Sequence, residues 1–263
     1  MPRIAEAFDR IRATGRPGLV AYVTAGDPDL ARTAEILVAL SASGADVIEV
    51  GVPFSDPLAD GPVIQRASER ALASRTTLRG TLRMIAETRD RIAAPIVLFT
   101  YVNPIVRMGE AEFVSAAAAA GVDGVLVLDL PVEEAGPFRD RLVSAGLDPI
   151  FLLSPTTTDA RIRASAEMGS GFLYVISRLG VTGARAQLGA GAEPLLRRIR
   201  ALSDLPLALG FGISSPEQVA QVGQWADAAV VGSALVNVIA EQGSSAAVAE
   251  KAGAYVRWLK GQP

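Results

Sequence analysis

Uninterrupted apolar runs alternate with amphipathic segments from one end of the chain to the other. Eight such runs do not alternate in polarity, which is typical of strands buried on both faces of a parallel sheet. The predicted strands are Gly18–Val23, Asp46–Val52, Pro95–Tyr101, Gly124–Asp129, Asp148–Leu153, Gly171–Ile176, Leu205–Leu209 and Ala226–Val231. Between the runs, apolar residues recur at helical spacing. The pattern therefore predicts eight strand–helix units in succession.

Residues at the ends of the amphipathic segments indicate where helices begin. Ser215 followed by Pro216 reads as an N-cap and a first helical residue, with Gln218 completing a capping box. Asp27-Pro28 is a weaker start signal of the same kind. An additional helix, from Ile4 to Ala13, is predicted before the first strand because its apolar residues share one side.

The number of units and the chain length favour a closed barrel. The chain has 263 residues, and a (β/α)8 barrel, the TIM barrel, typically needs about 250. We expect an α/β fold, a (β/α)8 barrel with an additional N-terminal helix, as one domain over residues 1–263. An open doubly wound sheet and a division into two small domains remain as alternatives.

Charge and composition exclude several kinds of function. The net charge of −3 does not suggest a nucleic-acid binder or a membrane-surface binder. No apolar run approaches the roughly 20 residues of a spanning helix, and the N-terminus lacks a signal peptide's apolar stretch. A cytoplasmic location is expected.

Missing residue types restrict the chemistry further. The chain has no histidine and no cysteine, and its two lysines, Lys251 and Lys260, fall in the predicted last helix. Metal ligation by histidine or thiolate, nucleophilic catalysis by cysteine and a Schiff base in the pocket are therefore disfavoured. Catalysis would rest on carboxylates, hydroxyls, arginines and backbone amides, with no metal.

Two carboxylates near the end of the second strand are candidate catalytic residues. Glu49 interrupts an apolar strand, where burial should raise its pKa and suit it to general acid/base work. Asp60 follows in the next loop. A structural ion pair with an arginine is an alternative for Glu49, and capping of a helix that starts at Gly61-Pro62 is an alternative for Asp60.

Glycine-rich turns follow the seventh and eighth strands, at Gly210–Ser214 and Gly232–Ala234. Loops at these positions form the recurring phosphate site of this barrel, since glycine lets backbone amides approach an anion and a helix N-terminus adds positive charge. A long segment after the sixth strand, Ser177–Ala192, has the glycines expected of a lid. Asp129, at the end of the fourth strand, is expected either to line the pocket or to cap the next helix.

These residues also carry a family resemblance. The stretch Glu49-Val50-Gly51-Val52-Pro53-Phe54-Ser55-Asp56-Pro57 with Ala59-Asp60-Gly61-Pro62 resembles the signature of the tryptophan synthase alpha subunit family. Ala21–Pro28, Gly180–Gly183 and Gly210–Ile213 match in the same order and at the same spacing. The resemblance covers essentially the whole chain.

The resemblance implies a carbon–carbon lyase that cleaves indole-3-glycerol phosphate to indole and glyceraldehyde 3-phosphate. It implies that Glu49 is the general acid/base and that Asp60 holds the indole N–H. The implied substrate contacts are Tyr22, Thr24, Asp129, Tyr174, Thr182, Gly183, Phe211, Gly212, Gly232 and Ser233.

The resemblance also implies a partner. The family works with a beta subunit that carries pyridoxal phosphate, in an alpha2-beta2 complex, and no cofactor is expected in this chain. The loop Pro53–Asp60, an Asn103-Pro104 turn and the lid are expected to face that partner.

Two positions depart from the family pattern. Tyr22 stands where phenylalanine is expected, and Leu179 stands where a smaller residue is expected. Two other functions remain open at this point. One is an isomerase of sugar phosphates on the same barrel, and the other is a weakly active barrel that mainly regulates a partner.

Overall fold

The structure is a computed structural model, and it describes residues 2–176, 191–210 and 212–262. Eight parallel strands close into a barrel in sequence order, with β1 paired to both β2 and β8. The strands are β1 Gly18–Thr24, β2 Val47–Gly51, β3 Ile96–Thr100, β4 Gly124–Val127, β5 Asp148–Leu153, β6 Leu173–Ile176, β7 Leu207–Gly210 and β8 Ala228–Val231. The predicted barrel is confirmed, and each predicted strand end lies within two residues of the observed one.

Helices surround the barrel. In the described part of the chain they are α1 Arg3–Thr14, α2 Leu30–Ala42, α3 Pro62–Ala73, α4 Leu78–Thr88, α5 Val102–Met108, α6 Glu110–Ala119, α7 Gly136–Ser144, α8 Asp159–Met168, α9 Ala192–Arg200, α10 Pro216–Val222, α11 Ser233–Gln242 and α12 Val248–Leu259. None of these helices is long and apolar enough to cross a bilayer.

Two predicted helix starts have different outcomes. Ser215 caps α10 as predicted, because its side chain accepts a hydrogen bond from the backbone N–H of Gln218. The start signal at Asp27-Pro28 was wrong by two residues, since Asp29 is the N-cap of α2. The buried Asp27 carboxylate instead accepts two hydrogen bonds from Arg70 at 2.7 Å and so ties α3 to the β1–α2 connection.

The additional N-terminal helix closes the bottom of the barrel. Ile4, Phe8 and Ile11 are buried in one cluster with inward-facing strand residues. The rings of Phe8 and Phe172 lie 5.4 Å apart, centroid to centroid. With one end closed by α1, a ligand reaches the interior from the other end, where the carboxyl ends of the strands lie.

Aspartates secure the closed end of the barrel. The Asp46, Asp123 and Asp227 side chains accept hydrogen bonds from backbone N–H groups at the beginnings of neighbouring strands, at Leu19, Ile96 and Leu207. These bonds satisfy strand ends that have no ladder partner there. The polar groups of this end are therefore structural.

Candidate active site

A cleft opens at the carboxyl ends of the strands. It encloses about 500 Å³, part of which is open to solvent. Its walls come from the aromatic residues of β1, β3 and β6 on one side and the turns after β7 and β8 on the other. The lining residues are Tyr22, Asp60, Ile64, Phe99, Tyr174, Gly212, Ile213, Val230, Gly232, Ser233 and Ala234.

Strand β2 places Glu49 beneath this cleft. Glu49 pairs in register with Tyr22 of β1 and Val97 of β3, so it belongs to the layer of residues that fills the barrel. A Cβ atom at Gly51 would lie 2.1 Å from the Tyr22 hydroxyl, so the Tyr22 ring crosses β2 one inward position above Glu49. Glu49 itself is fully buried.

Burial controls the ionisation of Glu49. Neither of its carboxyl oxygens has a hydrogen-bond partner among the described residues. The loss of hydration raises its pKa to about 8, because nothing replaces the water that would stabilise the charge. Glu49 is therefore mainly a neutral acid at pH 7. The alternative of a structural ion pair with arginine finds no support in the described part of the chain.

Asp60 lies at the wall of the cleft in a different environment. Its Oδ2 accepts a hydrogen bond from the Tyr101 hydroxyl at 3.1 Å. Burial raises its pKa to about 6, and the bond from Tyr101 opposes that rise. Helix α3 has Gly61 as its N-cap. Asp60 thus precedes the cap, and its carboxylate is turned to Tyr101 and the cleft, where an ionised group would meet a ligand.

Aromatic rings form the apolar part of the cleft. The Tyr22 and Phe99 rings meet edge to face with centroids 5.2 Å apart, and Phe99 and Tyr174 lie 6.4 Å apart. Burial raises the pKa of Tyr22 and of Tyr174 well above the usual range, so both stay neutral. Together these contacting rings form an apolar wall against which a flat aromatic ligand could pack.

The turns after β7 and β8 supply a place for an anion. Gly212 has φ +80°, a left-handed conformation that favours glycine. Gly232 is the N-cap of α11, and Ser233 is its first residue. These two residues line the same cleft as Asp60, and a helix N-terminus at that place supports the expected phosphate site.

Four predicted contacts are not among the described residues that line the cleft. Thr24 is buried and contacts the Tyr22 hydroxyl at 3.4 Å, but it is not part of the cleft wall. Thr182, Gly183 and Phe211 lie outside the described residues, as does most of the Ser177–Ala192 segment expected to be a lid.

Asp129 is not in the cleft. It is exposed, and its Oδ1 accepts a hydrogen bond from the backbone N–H of Val102, the first residue of α5. The expectation that it caps the next helix was wrong, because the next helix is α7 and Asp129 binds the start of α5. The predicted Asn103-Pro104 turn was also wrong, since both residues belong to the first turn of α5.

Sequence reasoning missed several residues of the site, among them Ile64, Phe99 and Tyr101. Phe99 lies on the barrel-facing side of β3, two residues beyond Val97, and that spacing could have identified it. Tyr101 directly follows β3 at the strand end where active-site residues of this fold gather. The described residues include no group of three or more carboxylates that could hold a metal ion.

Comparison with known proteins identifies close relatives. A family model described as "Tryptophan synthase alpha chain" matches residues 8–260. The chain is similar to the tryptophan synthase alpha chain of Solibacter usitatus, with 48% identity over 260 residues, covering 99% of this chain and 97% of the relative. It is 52% identical over 243 residues to that of Thioalkalivibrio sulfidiphilus, covering 92% of this chain and 91% of the relative.

Solved structures agree with the sequence comparisons. Tryptophan synthase of Mycobacterium tuberculosis matches with a TM-score of 0.90 and 39% identity, over 98% of this chain and 97% of that chain. The tryptophan synthase a2b2 complex of Pyrococcus furiosus matches with a TM-score of 0.87 and 42% identity, over 93% of this chain and 98% of that chain.

Proposed function

This chain belongs to the tryptophan synthase alpha chain family, and we propose that Glu49 and Asp60 divide the chemistry of the alpha reaction between them. The chain is a lyase that cleaves indole-3-glycerol phosphate to indole and glyceraldehyde 3-phosphate in tryptophan biosynthesis. The reaction is a retro-aldol cleavage, and the aromatic faces and glycine turns of the cleft match the two ends of this substrate. Membership of this family excludes the alternative of a sugar-phosphate isomerase.

The proposed steps conserve every proton. Asp60 accepts a hydrogen bond from the indole N–H and stabilises the positive charge that develops on the ring. Glu49 gives its proton to the ring carbon that carries the glycerol chain, and as a carboxylate it then takes the proton of the adjacent hydroxyl. The bond between these two carbons breaks, its electron pair returns to the ring, and the new carbonyl becomes the aldehyde. Glu49 ends protonated, ready for the next turnover.

One observation carries the assignment of roles. A neutral carboxyl group lies under the cleft, with a pKa of about 8, while a second carboxyl in the wall has a pKa of about 6. Between these values Glu49 holds a proton and Asp60 does not. Two carboxylates whose environments separate their pKa values are suited to different roles in one reaction. Glu49, which holds a proton, is suited to donate it in the first step. Asp60, which is ionised, is suited to face the positive charge that develops on the ring.

The wall residues support the placement of the substrate. We propose that the indole ring packs against the wall formed by Tyr22, Phe99 and Tyr174, and that the phosphate binds at Gly212, Gly232 and Ser233. The helix start at Ser233 supplies backbone donors, so the phosphate needs no lysine there. Thr182, Gly183 and Phe211 remain proposed contacts on the basis of the family motif.

The assignment is tested by indole release from indole-3-glycerol phosphate. Glu49→Gln should lower kcat by roughly a thousandfold, because general acid/base groups typically contribute 10²–10⁴. Asp60→Asn should lower kcat less, since the amide oxygen still accepts the N–H but carries no charge. Glu87→Gln, at an exposed position on α4, is the control. A Glu49→Gln rate close to wild type would remove Glu49 from the mechanism.

We propose that the chain pairs with a tryptophan synthase beta subunit as an alpha2-beta2 complex. The loop at residues 53–60, here called the rim loop, stands at the open end of the barrel. Leu58 in this loop is 90% exposed, so its side chain is available to pack against a partner. Pyridoxal phosphate is proposed to belong to the beta subunit. Within this chain, Lys251 lies in α12, and Lys260 binds Gly44 and Asp46 at the closed end.

Docking through the rim loop is tested by co-elution with a beta subunit. Leu58→Glu should abolish co-elution, because it buries a charge in the interface. Val143→Glu is the matched control, since Val143 is also exposed but lies at the end of α7 toward the closed end of the barrel. Equal loss of binding in both variants would contradict the proposed face.

Two further expectations remain proposals. The substrate is a small anionic metabolite, which supports a location in the cytoplasm. The continuous barrel, closed at one end by α1 (the plug helix), supports one domain over residues 1–263.

A further inference from the structure

We propose that Tyr101 is a positioning residue, which aims the Asp60 carboxylate at the ring N–H and links it through Phe54 to the rim loop. The proposal rests on the proposed role of Asp60. Tyr101 is buried and is not part of the cleft wall, so it acts on the substrate only through Asp60.

Two hydrogen bonds fix the Tyr101 hydroxyl in one orientation. It accepts a bond from the backbone N–H of Ala59 at 3.1 Å. It donates its proton to Oδ2 of Asp60, also at 3.1 Å. Because the acceptor side of the hydroxyl is taken by the rim loop, its proton is directed to the carboxylate. The bond is strongest when Asp60 is ionised, since a hydrogen bond to a charged group is stronger than one to a neutral group.

This arrangement leaves one carboxylate oxygen for the substrate. With Oδ2 bonded to Tyr101, Oδ1 of Asp60 has no hydrogen-bond partner among the described residues, so it is the oxygen that would accept a bond from an indole N–H in the cleft. The hydrogen bond from Tyr101 also favours the ionised form of Asp60, and it opposes the rise in the pKa of Asp60 that burial causes. Orientation and ionisation of Asp60 therefore depend on the same hydroxyl group.

Tyr101 is itself held from two sides. The Phe54 ring of the rim loop packs on the Tyr101 ring with centroids 5.1 Å apart and an interplanar angle of 34°. On the other side, Asp129 binds the backbone N–H of Val102 and fixes the start of α5 next to Tyr101. A displacement of the exposed rim loop would move Phe54 and then the hydroxyl that orients Asp60.

Other titratable groups surround Asp60 but do not replace Tyr101. Burial raises the pKa values of Tyr22 on β1 and Tyr174 on β6, and the charge of Asp60 raises them further. Both tyrosines therefore remain neutral. Glu49 on β2 pairs in register with Tyr22 and is neutral in the pH range where Asp60 titrates. The acid limb of the pH–rate profile should therefore report Asp60 and its bond from Tyr101.

The test is the pH dependence of kcat/KM for indole release. Tyr101→Phe removes only the hydroxyl, and it should move the acid limb upward by roughly one pH unit, because the donor to the charged form is lost. Phe54→Leu should move the same limb in the same direction by less. Combined with Asp60→Asn, Tyr101→Phe should change the rate by less than about twofold, since coupled residues do not act additively.

Tyr255→Phe is the matched control. It deletes the same atom from a tyrosine whose hydroxyl binds the Ser214 carbonyl, away from Asp60, and it should leave the acid limb in place. An acid limb that stays at the wild-type pH in a folded Tyr101→Phe protein would overturn the proposal. A wild-type profile with no acid limb, or full activity in Asp60→Asn, would instead overturn the role of Asp60 itself.

Discussion

Replacing Glu49 by glutamine should stabilise the protein increasingly as the pH rises. Glutamine has nearly the shape of a protonated glutamic acid and cannot ionise. In the folded chain the pKa of Glu49 is about 8, against an ordinary value of 4.5. Above pH 4.5 the unfolded chain therefore loses this proton while the folded chain keeps it. The free energy of unfolding of the wild type therefore falls as the pH rises, whereas Glu49→Gln lacks this loss because glutamine does not ionise.

The size of the effect follows from the separation of the two pKa values. The folded state binds more protons than the unfolded state between pH 4.5 and pH 8, so the free energy of unfolding falls with pH in that range. Each pH unit corresponds to 1.36 kcal/mol. The cost is therefore about 3 kcal/mol at pH 7 and about 4 kcal/mol at pH 8, and it levels off at about 5 kcal/mol above about pH 9.

Urea unfolding at a series of pH values from 5 to 9 measures this difference. The free energy of unfolding of Glu49→Gln, minus that of the wild type, should be small at pH 5 and should rise to a plateau at about pH 9. Glu87→Gln, which changes an exposed glutamate on α4, should show a difference that does not vary with pH over this range. A flat difference for Glu49→Gln would refute the claim that Glu49 is buried as a neutral acid.

Three other substitutions test the cleft and the barrel. Gly212→Asp should raise KM roughly tenfold or more in steady-state kinetics, because it adds negative charge beside the substrate phosphate; an unchanged KM would contradict the phosphate site. Gly51→Ala should lower activity, since its Cβ would lie 2.1 Å from the Tyr22 hydroxyl and force the ring to move; wild-type kinetics would show that the ring position is unimportant. Phe8→Ala should lower the free energy of unfolding by about 3–5 kcal/mol, as large-to-small core changes do; a change below about 1 kcal/mol would show that α1 is not an essential plug.

The fold followed from sequence because its signal is local and repeated. Strands buried on both faces are apolar throughout, and this feature located all eight within two residues. The plug helix was also visible, since Ile4, Phe8 and Ile11 share one face. The start of α2 was misplaced because Asp27 and Asp29 both have a carboxylate suited to capping. Only the packing of Arg70 against Asp27 separates them.

The site was only partly predictable, because its key contacts join distant parts of the chain. Glu49 was detectable as a charge inside an apolar strand. Tyr101 looked like the end of an ordinary apolar run, and its bond to Asp60 spans 41 residues. Asp129 was misassigned for the same reason: its partner, Val102, belongs to the preceding strand–helix unit rather than to the helix that follows.

The pH dependence of kcat/KM for indole release tests the division of roles between the two carboxylates most directly. The profile should rise through about pH 6 as Asp60 ionises and fall through about pH 8 as Glu49 loses its proton. The residual activity of Glu49→Gln should lack the alkaline limb, and that of Asp60→Asn should lack the acid limb. A profile that stays level through pH 8, or an alkaline limb that persists in Glu49→Gln, would contradict the account.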